Sequence, residues 1–115
     1  MSWNRRLAVL LLAPLLGCSI ESATSAEVCP VQPGHPLQYV DVFDGAPEDM
    51  ATLVPDQAQP TSGYWQLAYV YDAGRSVTVR CKYAGGQQSD VKLAQRVNRC
   101  DYRIDAQKTL TLKCK

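Results

Sequence analysis

The placement of five cysteines constrains this 115-residue chain more than any other feature. Cys18 closes an apolar N-terminal run, in Leu15-Leu16-Gly17-Cys18. Cys29, Cys81, Cys100 and Cys114 lie in the part whose patterning belongs to a folded domain. The odd total divides into one cysteine with a processing role and an even set for two disulfides. Disulfides persist in oxidising compartments, so the chain is expected outside the bacterial cytosol.

The N-terminal run has its own logic. Arg5 and Arg6 form a short basic start, and the apolar stretch Leu7 to Leu16 is broken only by Pro14. A membrane-spanning helix needs about 20 apolar residues. The run therefore reads as a signal peptide, residues 1–17, to be left out of fold reasoning. Two cleavages compete. The first is at Leu15-Leu16-Gly17-Cys18, which resembles a bacterial lipobox whose cysteine sulfur takes a diacylglycerol and becomes the new N-terminus. Residues 18–28 would then be a lipidated tether, rich in Ser, Ala and Thr. Ser19 and Ile20 follow the cysteine without the aspartate that retains lipoproteins in the inner membrane, so the outer membrane is the expected destination. The second is cleavage after Ala26, in Thr24-Ser25-Ala26, which would release a soluble periplasmic protein. Cysteine parity is taken to favour the first, since a retained but unmodified Cys18 would be a loose thiol in an oxidising compartment.

The remainder, residues 29–115, is long enough for one small domain. A chain of that size buries only about 60–65% of its unfolded surface, which makes two disulfides a sensible supplement to the core. Charge is near balance overall but not along the chain. Seven acidic residues and no Lys or Arg fall between Glu27 and Gly74, whereas Arg75 to Lys115 holds ten basic residues against Asp90, Asp101 and Asp105. Either the halves pack together and neutralise each other, or a basic face is left for an anionic partner. The near-neutral total and the exported address argue against nucleic acid.

Hydropathy alternates with period two over most of the domain. Leu37 to Phe43 reads as a strand with Leu37, Tyr39 and Phe43 on one face. Pro47 to Val54 has helix marks: proline in the first turn, acids at the N-terminal end, and Pro55 as a stop. Asp56 to Gly63 reads as a polar loop. Trp65, Leu67, Tyr69 and Tyr71 then share a strand face. Val77, Val79, Cys81 and Tyr83 do the same, followed by Val91 and Leu93, then Cys100, Tyr102 and Ile104, then Leu110, Leu112 and Cys114. Asp72-Ala73-Gly74 and Gly85-Gly86 supply turns. Clean alternation means one buried and one wet face, typical of antiparallel sheets. The expected fold is mainly β: a small antiparallel sheet, partly open barrel or sandwich of five to six strands, with one short helix and two disulfides. In a simple meander Cys81 and Cys100 would start about 15 Å apart at about 3.3 Å per residue, beyond the roughly 7 Å that a bridge allows between Cα atoms. A hairpin turning near Ala106 to Lys108 sets Cys100 opposite Cys114. The favoured pairing is therefore Cys29–Cys81 with Cys100–Cys114.

No arrangement of residues points to catalysis. His35 is the single histidine and sits in a Pro-Gly loop, read as exposed, so His-based metal clusters and Ser-His-Asp triads lack members. Cysteine spacing is too wide for zinc or thioredoxin-like chemistry. Asp41, Asp44, Glu48 and Asp49 lack calcium-loop spacing and read as a turn and a helix start. Gly85-Gly86 precedes no helix and reads as a hairpin turn rather than a phosphate loop. No metal and no cofactor is expected.

The landmarks together resemble a known group. Cys29-Pro30, Phe43-Asp44-Gly45, Leu53-Val54-Pro55, a strand at Trp65, Cys81-Lys82-Tyr83, Arg99-Cys100 and the terminal Cys114 occur in an order similar to that of a family of small exported proteobacterial proteins first named from a Salmonella open reading frame. The resemblance implies export and a cysteine framework, and it carries no catalytic residues. Some small envelope proteins of this kind are immunity partners of secreted toxins. A weaker likeness, resting on architecture alone, is to lipoprotein inhibitors of lysozyme.

The function expected is that of a non-enzymatic, periplasm-facing binding protein, in its sharpest form an inhibitor or immunity protein against a toxin or cell-wall hydrolase. The alternative is a structural or stress-related outer-membrane lipoprotein without a discrete ligand, and a small hydrolase is the third reading. The partner is expected to be a protein or an anionic envelope component. Arg80, Lys82, Arg103 and Lys113 oppose the apolar faces of their strands, and if those strands share a sheet they form one cationic surface. Tyr64, at a loop-to-strand boundary, is the aromatic most expected on the surface.

Overall fold

The computed structural model describes residues 25–115. The signal peptide and the lipobox at Cys18 lie outside the described residues. Period-two runs become nine strands: β1 (Ala26–Glu27), β2 (Leu37–Asp44), β3 (Thr52–Leu53), β4 (Gln57–Gln59), β5 (Ser62–Gln66), β6 (Val77–Tyr83), β7 (Gln88–Leu93), β8 (Arg99–Ile104) and β9 (Leu110–Cys114). They form two antiparallel sheets, in the orders β1-β9-β8-β5-β4 and β3-β2-β6-β7. Six of the strands have five residues or more; β1, β3 and β4 are short additions at sheet edges. The fold is the sandwich among the expected alternatives.

The two sheets bury their apolar faces against each other. Val42, Val77, Val79 and Cys81 from the four-stranded sheet join Trp65, Cys100, Leu110, Leu112 and Cys114 from the five-stranded sheet in one cluster. Full burial of a Val or Leu side chain contributes about 1.5–3 kcal/mol. Both disulfides pair as expected. Cys29–Cys81 ties the segment after β1 to β6 in the opposite sheet, with Cα atoms 5.9 Å apart. Cys100–Cys114 joins directly opposed residues of β8 and β9 at 4.0 Å. The β8–β9 turn is held by Asp105, whose Oδ1 accepts from the amides of Gln107 and Thr109. Residues 26–28 belong to the folded unit, because β1 pairs with Lys113 and Cys114 and the Val28 amide donates to Leu112 O.

Four local expectations are corrected. A bulge between Leu37 and Tyr39 reverses the faces of β2, so Val42 is fully buried while Tyr39 is 63% exposed. Tyr39, Asp41 and Phe43 thereby face outward beside Lys82, Arg80 and Thr78 of β6.

The period-two run from Tyr64 ends at Gln66. Residues Ala68–Asp72 form a short helix, α1. Leu67 and Val70, three apart and both fully buried, anchor it. It closes in a Schellman motif, with the Arg75 amide on Val70 O and the Gly74 amide on Tyr71 O, and Gly74 at φ +84°. The Leu67–Val70 spacing and Gly74 were the sequence signals for it.

The segment Pro47 to Val54 is a single 3-10 turn, Pro47–Asp49, that ends at Met50 in the left-handed region, φ 58°. No residue of that turn is buried, so nothing rewards extending the helix, and Thr52–Leu53 pairs with β2 instead. His35, expected in the open, is half-buried, and its Nδ1–H donates to Ala84 O at 2.9 Å.

Candidate functional site: a cationic cleft on the five-stranded sheet

Topology divides the four cations singled out above. β6 lies in the four-stranded sheet, and β8 and β9 lie in the other. Arg80 and Lys82 therefore occupy one outer face, and Arg103 and Lys113 the opposite one. The single surface expected of all four does not form, because their strands do not share a sheet.

On the four-stranded sheet the charges are matched across strands. Arg80 on β6 is opposite Asp90 on β7 and holds both its oxygens, at 2.8 and 3.0 Å. Lys82 reaches Asp41 of β2 at 2.8 Å. Arg75 clasps Asp44 at the end of β2 with two hydrogen bonds of 2.6 and 2.9 Å. The Arg75 and Arg80 guanidiniums hold the Asp44 and Asp90 carboxyls below the ordinary carboxylate range, against a smaller opposing effect of desolvation. Phe43 is buried on this outer face, with the Arg80 guanidinium 5.4 Å from its ring centre. Arg75, Arg80 and Lys82 are thus committed within the molecule, and Lys92 of β7, opposite Thr78, is the cation of this sheet that makes no ion pair among the described residues.

The five-stranded sheet differs. Its outer face is an open cleft of about 760 Å³, lined mostly by polar groups of β4, β5, β8 and β9. Arg99 and Asp101, two apart on β8, point to the same side and form a bidentate pair at 2.8 and 3.0 Å. The Arg99 guanidinium also lies 3.6 Å from the ring centre of Tyr64 on β5. Tyr64 is thus half-buried under a cation, and it faces Asp101 in register. Lys113 faces Asp101 from the other side, on β9. Arg103 pairs in register with Thr111. Among the described residues Arg103, Lys113 and Lys115, all in the cleft lining, make no ion pair; the one acidic side chain in that lining, Asp101, is held by Arg99, and Glu27 of β1 stands opposite Lys113 in register without pairing with it. Three of the predicted site residues, Tyr64, Arg103 and Lys113, are therefore brought together here.

Four further members were not singled out from sequence. Arg99 and Asp101 carried a signal, since a cation and an acid two apart in a strand share a face. Gln57 and Gln59 of β4 carried none, because that segment reads as a polar loop. The floor of the cleft depends on Gly63. A Cβ there would sit 2.4 Å from Gln57 O and 2.5 Å from Tyr102 Cε1. Tyr102 crosses above that glycine on the inner side, with its ring 5.6 Å from that of Trp65.

An apolar recess of about 410 Å³ opens between the sheets, beside Tyr39, Val54, Trp65 and Tyr102. Trp65 Nε1–H donates to Leu53 O at 3.0 Å and so bridges the two sheets at that point. Among the described residues no three His, Cys, Asp or Glu side chains converge in a metal-binding arrangement, and no helix is long and apolar enough to cross a membrane.

A family model described as "Type VI secretion system Tli immunity protein" matches residues 31–115. That span includes every strand except β1 and all the cleft residues named above. The match gives a family by its immunity role and does not carry the Salmonella naming or the motif order. No curated protein and no solved structure gives a match.

Proposed function

The chain belongs to the Tli immunity protein family of type VI secretion systems, and we propose from this that it is an exported, non-enzymatic protein that neutralises a toxin by binding it through the cleft of the five-stranded sheet. Immunity proteins act by occupying a toxin and need no chemistry of their own. The observation that carries the choice of surface is the state of its cations. Arg103 and Lys113 stand in a cleft and make no ion pair among the described residues, whereas Arg80 and Lys82 are paired. Unpaired charges at an interface steer encounter and set partner choice. Tyr64 and Arg99 add an aromatic and an arginine, the residue types enriched at binding hot spots.

The periplasm fits two disulfides, and a lipid on Cys18 would hold the protein at the outer membrane. One observation supports that anchor: cleavage after Ala26 would sever β1, whose two residues both pair with β9. Intact mass and detergent partitioning test it, and a water-soluble form beginning at Glu27 would contradict it.

The immunity role is tested by mixing the purified protein with each toxin of its own type VI system. One toxin should form a one-to-one complex and lose activity. Full activity of every toxin in the presence of excess protein would refute the role.

A further inference from the structure

The geometry of the cleft points to the kind of toxin segment it receives, an inference that rests on the immunity reading above. Three of its four cations, Arg103, Lys113 and Lys115, make no ion pair among the described residues. Arg99 spends Nε and Nη2 on Asp101 and its flat face on Tyr64, so it is fixed in place. The lining thus carries excess positive charge, complementary to an acidic partner. It lacks the apolar walls that most small-molecule sites use.

The register narrows the choice further. Arg103 is opposite Thr111, and Lys113 lies two residues beyond Thr111 on the same strand, so the two free cations are diagonal neighbours on one face. Diagonal positions across an antiparallel pair are about 7–8 Å apart. Same-face residues of an extended strand are about 6.4–6.8 Å apart, at 3.2–3.4 Å per residue. Neighbouring positions on a helix are closer, at about 5–6 Å. We infer that the cleft binds an extended acidic segment of the toxin, with carboxylates two residues apart that engage Arg103 and Lys113.

The test is an NMR titration of the ¹⁵N-labelled protein with two octapeptides of equal charge, one with glutamates two residues apart and the other with adjacent glutamates. The expected result is amide shifts confined to Tyr64, Arg103, Thr111, Lys113 and their neighbours, with at least threefold tighter binding of the spaced peptide. Arg103→Gln/Lys113→Gln should weaken that peptide at least tenfold, and Arg80→Gln/Lys82→Gln less than twofold. Shifts on β6 and β7, or equal losses in both variants, would overturn the inference. So would tighter binding of vesicles containing phosphatidylglycerol at the same residues, which would make the cleft a lipid-headgroup site. The two readings separate with the toxin itself. If Arg103→Gln/Lys113→Gln neutralises the toxin as well as wild type does, the acidic-segment inference falls and the immunity role stands. If wild-type protein neutralises no toxin while the spaced peptide still binds the cleft, the immunity role falls.

Discussion

The two outer faces of the sandwich present cations at the same period-two spacing, and they differ in what stands across the strand from each one. Arg80 and Lys82 on β6 are flanked by acids on both neighbouring strands, Asp90 on β7 and Asp41 on β2. Arg103 lies between Ser62 and Thr111, with no acid directly across from it, and Lys113 lies between Asp101, which Arg99 already holds, and Glu27 of β1, with neither of which it forms an ion pair. For Arg80, with Asp41 and Asp90 across from it, and Arg103, with Ser62 and Thr111, the commitment of a surface cation follows cross-strand register, a property of the sheet and not of the strand's own sequence. The acidic N-terminal half spends Asp41, Asp44 and Asp72 on Lys82, Arg75 and Arg96 of the basic half. The halves do neutralise each other in part, and Arg103, Lys113 and Lys115 of the surplus gather on one face of the five-stranded sheet, with Lys92 left on the other sheet.

The largest expected effects concern the staples that hold the faces in place. The Cys29–Cys81 bridge spans 52 residues and joins the two sheets. Replacing both cysteines by serine should cost about 4 kcal/mol in the chain-entropy account. The Cys100–Cys114 bridge spans 14 residues and lies directly behind the cleft strands. Its removal should cost about 3 kcal/mol and should perturb the amides of Arg99 to Arg103 more than those of β6. Urea unfolding and amide shifts check both statements; equal perturbation of the two faces would break the distinction.

Gly63→Ala comes next. Its φ is ordinary, so the cost is crowding alone: a Cβ at 2.4 Å from Gln57 O must push β4 or Tyr102 aside. Overpacking of this kind costs about 1–3 kcal/mol. The loss should be accompanied by a change in the cleft and none in the Arg80–Asp90 pair. A stability within 0.5 kcal/mol of wild type, by thermal unfolding, would show that the cleft floor yields freely.

The charge variants should split by face. Arg80→Glu/Lys82→Glu breaks two ion pairs, each worth about 0.2–1 kcal/mol when exposed, and sets like charges together. Arg103→Gln/Lys113→Gln breaks none and should stay within about 0.5 kcal/mol, whereas Lys113→Glu sets a like charge between Asp101 and Glu27 and should cost somewhat more by urea unfolding.

The smallest effect is that of pH. The Asp90 carboxyl titrates below its ordinary value of 3.8 because Arg80 holds it. A lowered folded-state value contributes stability above the unfolded value, and that contribution is lost as pH falls through the folded one. Asp90→Asn should therefore destabilise slightly at pH 7, by no more than about 1 kcal/mol. The difference from wild type should close below the ordinary value. A difference that persists in acid would mean that Asp90 acts by packing.

The alternation from Val77 to Cys114 made β6 to β9 legible in the sequence, and the hairpin argument gave both disulfides. What failed was context-dependent. The bulge at Leu37/Tyr39 inverts a strand without any residue type announcing it. The tyrosines Tyr69 and Tyr71 suit a strand locally, and burial of Leu67 and Val70 at helical spacing overrides them. The site was half-legible for the same reason. Which side Arg80, Lys82, Arg103 and Lys113 face follows from alternation within each strand. Their division between two sheets follows only from how strands that are distant in the chain assort.

The most direct test of the account is the affinity of the neutralised toxin for two variants, Arg103→Glu/Lys113→Glu and Arg80→Glu/Lys82→Glu, each verified as folded. Truncating or reversing close interfacial charges costs about 2–5 kcal/mol or more in total. The first variant should therefore bind at least about 30-fold more weakly than wild type, and the second should remain within about threefold of it. An equal loss in both, or a greater loss in the second, would contradict the claim that the unpaired cations of the five-stranded sheet form the binding face.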